Sequence, residues 1–149
     1  MLKKLTSTSN DVALTILRLV LGVVFFAHGA QKLLGWFGGY GYAGTMGFFT
    51  HQAGIPAPLA FLVIMTEFFG GLGLIFGLLT RIPAFGIGFE MIVAVWMVHL
   101  PNGFFMNWYG NQKGEGFEYH LLAIAAAAVL LLRGAGAFSV DRALSETKI

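Results

Sequence analysis

The sequence contains no cysteine. Disulfides, thiolate metal centres and CxxC redox chemistry are therefore excluded. Charge is nearly as scarce. Charged residues make up 11% of the chain and hydrophobic ones 57%, against about 25% and 45–50% in a soluble domain. A net charge of +2 offers no basic surface, so nucleic acid is not expected as a partner. The chain has no phosphate-binding loop, nucleotide fingerprint or Ser/His/Asp constellation, and no catalytic residue is assigned. The Glu-x-x-His spacing of di-iron bundles is missing as well. In Glu118-Tyr119-His120 the two ligand types would lie about 200° apart on a helix, so no metal site is assigned.

What is present is apolar sequence in long runs. The pattern predicts an all-α integral membrane protein, a four-helix bundle of one domain over 1–149, surrounded by lipid bilayer. Spans are expected at about 12–36, 58–79, 82–100 and 118–137. The leading MLKKLTSTSND is polar for too long to suit a secretory signal, so the first run is expected to be retained. Asp11 suits a helix N-cap, and Pro58 suits a first helical turn. Pro101-Asn102-Gly103 should stop the third span. The fourth is long enough only if Glu118, Tyr119 and His120 face inward and Arg133 snorkels. Residues 36–56 and 101–117 are rich in glycine and aromatics. Trp36, Phe37, Tyr40, Tyr42, Phe104, Phe105, Trp108 and Tyr109 suit an interfacial belt. The first of these segments is expected as a loop, with a short surface helix through Met46, Phe48, Phe49 and His51 as the alternative. With four spans, Lys3, Lys4, Arg81, Arg133, Arg142 and Lys148 fall on one side. Lys113 and Lys32 fall on the other. The positive-inside rule then puts both termini in the cytoplasm.

The few polar residues inside these runs are the functional signal, because polar groups in hydrocarbon need protein partners or a watery cavity. The first span carries Arg18, His28, Gln31 and Lys32, the second Glu67, the third Glu90 and His99, and the fourth Glu118 and His120. His28, Lys32, Glu67, Glu90, His99, Glu118 and His120 are expected to converge as a ligand-binding set on one outward-opening hollow. Arg18 lies deeper and is expected in a structural ion pair with a carboxylate. At about 100° per residue, Arg18, Gly22, Gly29 and Lys32 share one helix face, while Glu90 and His99 point apart unless the helix is distorted near Pro101. Gly70, Gly71, Gly73 and Gly77 resemble a helix-docking face. They motivate a homo-oligomer or a scaffold for other membrane proteins.

Three stretches carry a resemblance: LRLVLGVVFFAHGAQKLLG, EFFGGLGLIFGLLTRIPA and GAGAFSVDRAL. Together they resemble the DoxX family of small membrane proteins, from about Leu14 to Leu144. The matched positions are Arg18, Gly22, His28, Gly29 and Lys32, then Glu67, Gly77, Thr80 and Arg81, then Gly134, Gly136, Ser139 and Asp141. The resemblance implies a multi-pass protein of the bacterial inner membrane, in a family associated with quinone-linked sulfur oxidation and with oxidoreductase complexes against oxidative stress. It implies an accessory redox subunit, with quinone as the candidate cofactor and other oxidoreductase subunits as candidate partners. Without cysteine, no thiol chemistry can be intrinsic. A non-enzymatic scaffold is the main alternative. A small-molecule or lipid transporter is the third, although no internal symmetry between the halves supports it.

Overall fold

Asp11 opens the first long helix. Its carboxylate accepts from the amides of Ala13 at 2.8 Å and Leu14 at 3.4 Å, which satisfies two of the donors a helix start leaves free. In the computed structural model, which describes residues 2–146, this helix, α2, spans Val12–Leu34 and follows a short α1, Leu2–Thr6. Lys148 lies outside the described residues. Gly35 closes α2 at φ 74°, a left-handed backbone that favours glycine. The inner face of α2 reads Leu14, Arg18, Leu21, Gly22, Phe25 and Gly29, all buried, at the three- and four-residue steps of one helical stripe.

The segment expected as a loop is helical. α3 spans Gly41–Gly47 and continues into a wider π turn, Phe48–Gln52. The glycines do not prevent this because the segment packs along α2 and buries Thr45. The second long helix consists of α4 (Ala57–Met65), a π turn (Thr66–Gly70) and α5 (Gly71–Phe76). It stops before the expected Leu79 because Gly77 turns left-handed at φ 66°. The third consists of α6 (Arg81–Ala94), a π turn (Val95–His99) and a tight turn, Leu100–Asn102. The expected distortion near Pro101 is present. A π turn advances each residue less than an α turn, which rotates His99 back toward the face of Glu90.

The chain is all-α, with three helices long and apolar enough to cross a membrane: Val12–Leu34, Ala57–Phe76 and Arg81–Asn102. The fourth, α7, spans only Glu118–Arg133, about 24 Å at 1.5 Å per residue. It does not reach 137. Gly134 leaves the helix at φ 83°, and a Cβ there would meet the Ser7 carbonyl at 2.6 Å. Residues 134–138 instead cross over the start of α2, and α8 (Val140–Glu146) lies against α1. Both described ends of the chain therefore meet at one end of the bundle, here the terminal end. The opposite end, the loop end, carries α3 and residues 103–117. Leu21, Phe25, Leu74, Ala84, Ile87, Met91, Ala123, Ala127 and Leu130 form the core between them. Large apolar side chains such as Val20, Leu62, Phe85, Phe89 and Leu122 point outward, as a surface solvated by lipid allows.

Candidate functional site

Two polar clusters flank the apolar core. At the terminal end, Arg18 is 1% exposed. No carboxylate pairs with it within 4 Å among the described residues, so the expected ion pair is corrected. Its guanidinium donates instead to backbone carbonyls: Ala135 at 3.0 Å, Ile75 at 2.6 Å, Phe138 at 3.2 Å, and Leu74. The reason is geometric. Two chain segments that leave helices at Gly77 and Gly134 present their carbonyls to one point, and the flat five-donor fork of an arginine reaches several at once. The nearby carboxylate, Asp141, accepts from the amides of Leu79 at 2.6 Å and Thr80 at 2.8 Å. Thr15 Oγ1 donates to the Ala137 carbonyl at 2.6 Å. Arg81 donates to the carbonyls of Leu131, Leu132 and Ser7. Leu79 and Phe138 sit at φ 48°, a strained backbone for a side-chain-bearing residue, held by these surrounding bonds. This cluster is a clasp that ties the first helix to the end of the chain.

The second cluster faces the loop end. Lys32 Nζ lies 2.5 Å from Glu67 Oε2, with side-chain exposures of 24% and 5%. Gly29 makes this pair possible. It lies so close to the backbone of Glu67 and Phe68 that any Cβ would overlap it, and Lys32 follows one helical turn later on the same face. Glu90 adjoins Glu67 and lies within electrostatic reach of Lys32. Its Oε2 is buried with no partner among the described residues. Tyr119, on α7, lies within electrostatic reach of Glu67. The three expected residues Lys32, Glu67 and Glu90 thus come together. Tyr119 joins them, although sequence reasoning treated it only as part of an inward-facing helix start.

The remaining expected residues divide. His28 is exposed on the outer face of α2 and leaves the set. The helix turns about 100° per residue, so its neighbour Gly29 takes the inward position. Glu118 is also removed, because its carboxylate holds the 103–117 loop. It accepts from the Met106 amide at 2.8 Å and from Trp108 Nε1 at 3.4 Å. His99 and His120 stack with ring centroids 3.9 Å apart. His99 Nδ1 meets the Glu115 carbonyl at 2.9 Å, and His120 Nδ1 is buried without a partner.

A hollow of about 290 Å³ opens beside Lys32. Gln31, Lys32, Tyr40, Thr45, Phe48 and Phe49 line it, together with Gly38 and Gly39. Of the expected ligand-binding set only Lys32 lines the hollow; Glu67 lies behind it through the ion pair. Gln31 and Tyr40 were flagged for their membrane position, but nothing in their spacing marked a shared cavity.

The glycines expected as a docking face are used internally. Gly71 packs on Phe26 and Gly22, Gly70 and Gly73 approach Pro83, and Gly77 lies against Arg18 and Ser139.

A family model for DoxX matches residues 13–100. The chain belongs to the DoxX family. Its three membrane-length helices make it a multi-pass membrane protein. It is 31% identical over 138 residues to "Inner membrane protein YqjF" of Escherichia coli strain K12, covering 92% of this chain and 95% of that protein. It is 32% identical over 114 residues to "Putative oxidoreductase CatD" of Bacillus subtilis strain 168, covering 76% of this chain and 75% of that one. It is 30% identical over 140 residues to an uncharacterized protein of Haemophilus influenzae, covering 93% and 87%. No solved structure matches. In this DoxX chain the matched positions Arg18, Gly77, Thr80, Arg81, Gly134, Gly136, Ser139 and Asp141 gather in or beside the clasp. Gly29, Lys32 and Glu67 belong to the loop-end cluster.

Proposed function

We propose that this DoxX protein is a redox-associated membrane subunit that binds a quinone, or a similar apolar ring, in the hollow beside Lys32. One observation carries the reading: the same ammonium group lines the hollow and pairs with a buried carboxylate. The lining fits a ring of this kind. Tyr40, Phe48 and Phe49 supply apolar faces, while Lys32, Gln31 and Thr45 supply polar groups able to donate to ring oxygens. A quinone supplies a two-electron, two-proton couple. The chain's own part is to orient the ring through Lys32 and to hold a proton close by. Glu67 and Glu90 face one lysine, so a proton shared between them leaves the interior without an uncompensated charge. The relative named as an oxidoreductase supports the redox link. Electrons would come from or go to a partner oxidoreductase subunit. The glycines that motivated a scaffold have close neighbours within the bundle, which favours the redox reading over it.

The same proposal carries the finer architecture: α7 as a fourth crossing, both termini in the cytoplasm, one domain over the whole chain, and residence in the bacterial inner membrane. The relative named an inner membrane protein supports that location.

Titration of the purified protein in lipid nanodiscs with a short-tailed ubiquinone analogue, followed by quenching of protein fluorescence, tests the binding site. Saturable binding is expected, weakened about tenfold or more in Lys32→Met and Phe48→Ala, since losing one buried polar contact costs about 1–3 kcal/mol. His28→Ala should bind like the parent. Absence of saturable binding, or equal affinity in all four proteins, would retire the reading.

A further inference from the structure

The three membrane-length helices start or stop at the terminal end, at Val12, Phe76 and Arg81, so that end lies at a membrane surface. Charge is divided unevenly along the bundle. Among the described residues, the terminal end carries six cations: Lys3, Lys4, Arg18, Arg81, Arg133 and Arg142. Three carboxylates stand against them: Asp11, Asp141 and Glu146. The loop end is the reverse, with Lys32 and Lys113 against Glu67, Glu90, Glu115 and Glu118. Two of the three terminal carboxylates are also engaged internally. Asp11 caps α2, and Asp141 holds the amides of Leu79 and Thr80. A cationic end of this kind is attracted to a membrane surface whose lipids are anionic.

Phe138 supplies a second, independent feature. Its backbone sits at φ 48°, a left-handed conformation that is costly for a bulky side chain, and its ring is 81% exposed. The chain on both sides is fixed. The Gly136 amide donates to Thr8 Oγ1 at 2.7 Å, the Ala137 amide to the Asp11 carbonyl at 2.9 Å and the Asp141 amide to the Gly77 carbonyl at 2.9 Å. Arg18 holds the Phe138 carbonyl itself at 3.2 Å. A firmly bonded backbone thus presents an apolar ring that the bundle does not bury. Val140 and Leu144, each 40% exposed, continue the apolar surface along α8. Beside the ring lies a recess of about 450 Å³, lined by Asn10, Phe138, Ser139, Arg142, Ala143 and Glu146. Arg142 donates through Nε to Glu146 Oε1 at 2.8 Å. The two terminal nitrogens of its guanidinium remain as a planar fork of the kind that fits a phosphate.

We propose that the terminal end is a docking surface for an anionic phospholipid. Arg142 and Asn10 hold the headgroup phosphate in the recess, Phe138 inserts among the upper acyl chains, and Lys4 and Arg133 add attraction to the negative surface. Lys4, on the helix that packs against α8, and Arg133, in the last turn of α7, are both exposed. Neither makes a hydrogen bond or ion pair among the described residues. An apolar ring beside a guanidinium matches the layering of a bilayer surface, where phosphates lie just outside the first methylenes. Lipid contact also accounts for the strain kept at 138. A glycine there would relax the backbone and present no ring. The surface lies at the opposite end of the bundle from the hollow beside Lys32 and acts whether or not a ring is bound there.

Native mass spectrometry of the detergent-solubilised protein, titrated with phosphatidylglycerol or with phosphatidylcholine, reads this surface. Phosphatidylglycerol is expected to bind about tenfold tighter. Arg142→Gln should weaken its binding about tenfold, the scale of a charge-assisted contact. Arg142→Lys, which keeps the charge and loses the fork, should fall between Arg142→Gln and the parent. Lys4→Gln and Arg133→Gln should each weaken it about fivefold, the scale of one basic residue at an anionic surface. Phe138→Gly separates a lipid contact from a structural role. It should bind phosphatidylglycerol more weakly, while its thermal midpoint in lipid-free detergent stays at or above the parent's, because glycine adopts φ 48° without strain. Equal affinity of the parent for the two lipids would overturn the proposal, as would parental binding of phosphatidylglycerol in both Arg142→Gln and Phe138→Gly. Displacement of the lipid by excess inorganic phosphate would overturn it too, by marking the recess as a site for the free ion. A lowered midpoint in Phe138→Gly would assign the ring to the fold and overturn its part in lipid contact.

Discussion

Arg18 and Lys32 lie on one helix face and have different partners. Arg18 meets backbone carbonyls of several chain segments, and its role is to hold those segments together. Lys32 meets a carboxylate and remains 24% exposed, so it can also reach a ligand. The environment distinguishes them, because both are single basic residues inside one apolar run. Removing one partner of a buried pair strands the other, at a cost of about 3–5 kcal/mol, whereas replacing both is nearly neutral. Lys32→Met is therefore expected to lower the thermal midpoint of the detergent-solubilised protein clearly. Adding Glu67→Gln to it should restore most of the loss. A double variant no more stable than Lys32→Met would show that the ion pair does not support the fold.

At the scale of elements, the close crossing of α2 with the second long helix decides the site. Gly22 and Gly71 admit each other's helix, and Gly29 admits the backbone of Glu67 and Phe68. The prediction here is that Gly29→Leu forces the helices apart. It should separate Lys32 from Glu67, abolish ring binding and lower the thermal midpoint by more than Lys32→Met does. Gly47→Ala, where a Cβ meets nothing within 4 Å, should change neither. Ring binding in Gly29→Leu at parental affinity would contradict this account. Much of this level was legible in the sequence. Asp11 and Pro101 mark helix ends, and the shared face of Gly29 and Lys32 follows from helical phase. The π turns were not legible, because they arise where tertiary contacts under-wind a helix that local sequence would leave regular. For the same reason the inward turn of His99 was only a conditional expectation. The assignment of His28 to the interior failed because the polar character of a residue does not specify its helical phase, which the inward Gly29 and Lys32 had already set.

At the scale of the molecule, the chain is asymmetric from end to end: a sealed clasp, an apolar layer, then a polar chamber under aromatic loops. That the polar residues divide into two clusters was not legible, because it depends on which carbonyls the glycine turns expose. The absence of cysteine makes the topology directly testable. Single cysteines at Ser9 and Glu146 should label only from the cytoplasmic side in inverted and right-side-out vesicles. Cysteines at Gln112 and Gln52 should label only from the other. A Gln112 cysteine that labels from the same side as Ser9 would exclude α7 as a fourth crossing.

The clasp has a consequence for how the protein is made. Arg18 is synthesised well before two of its acceptors, the carbonyls of Ala135 and Phe138, which lie 117 and 120 residues further along the chain. A cation in the leading hydrophobic segment must therefore enter the bilayer before those acceptors exist. Until residues 135–138 are made it has to be accommodated by water, by lipid headgroups or by the insertion machinery. The bundle can lock only when that later segment arrives, so a nascent chain halted at Arg133 should remain bound to whatever shelters that charge.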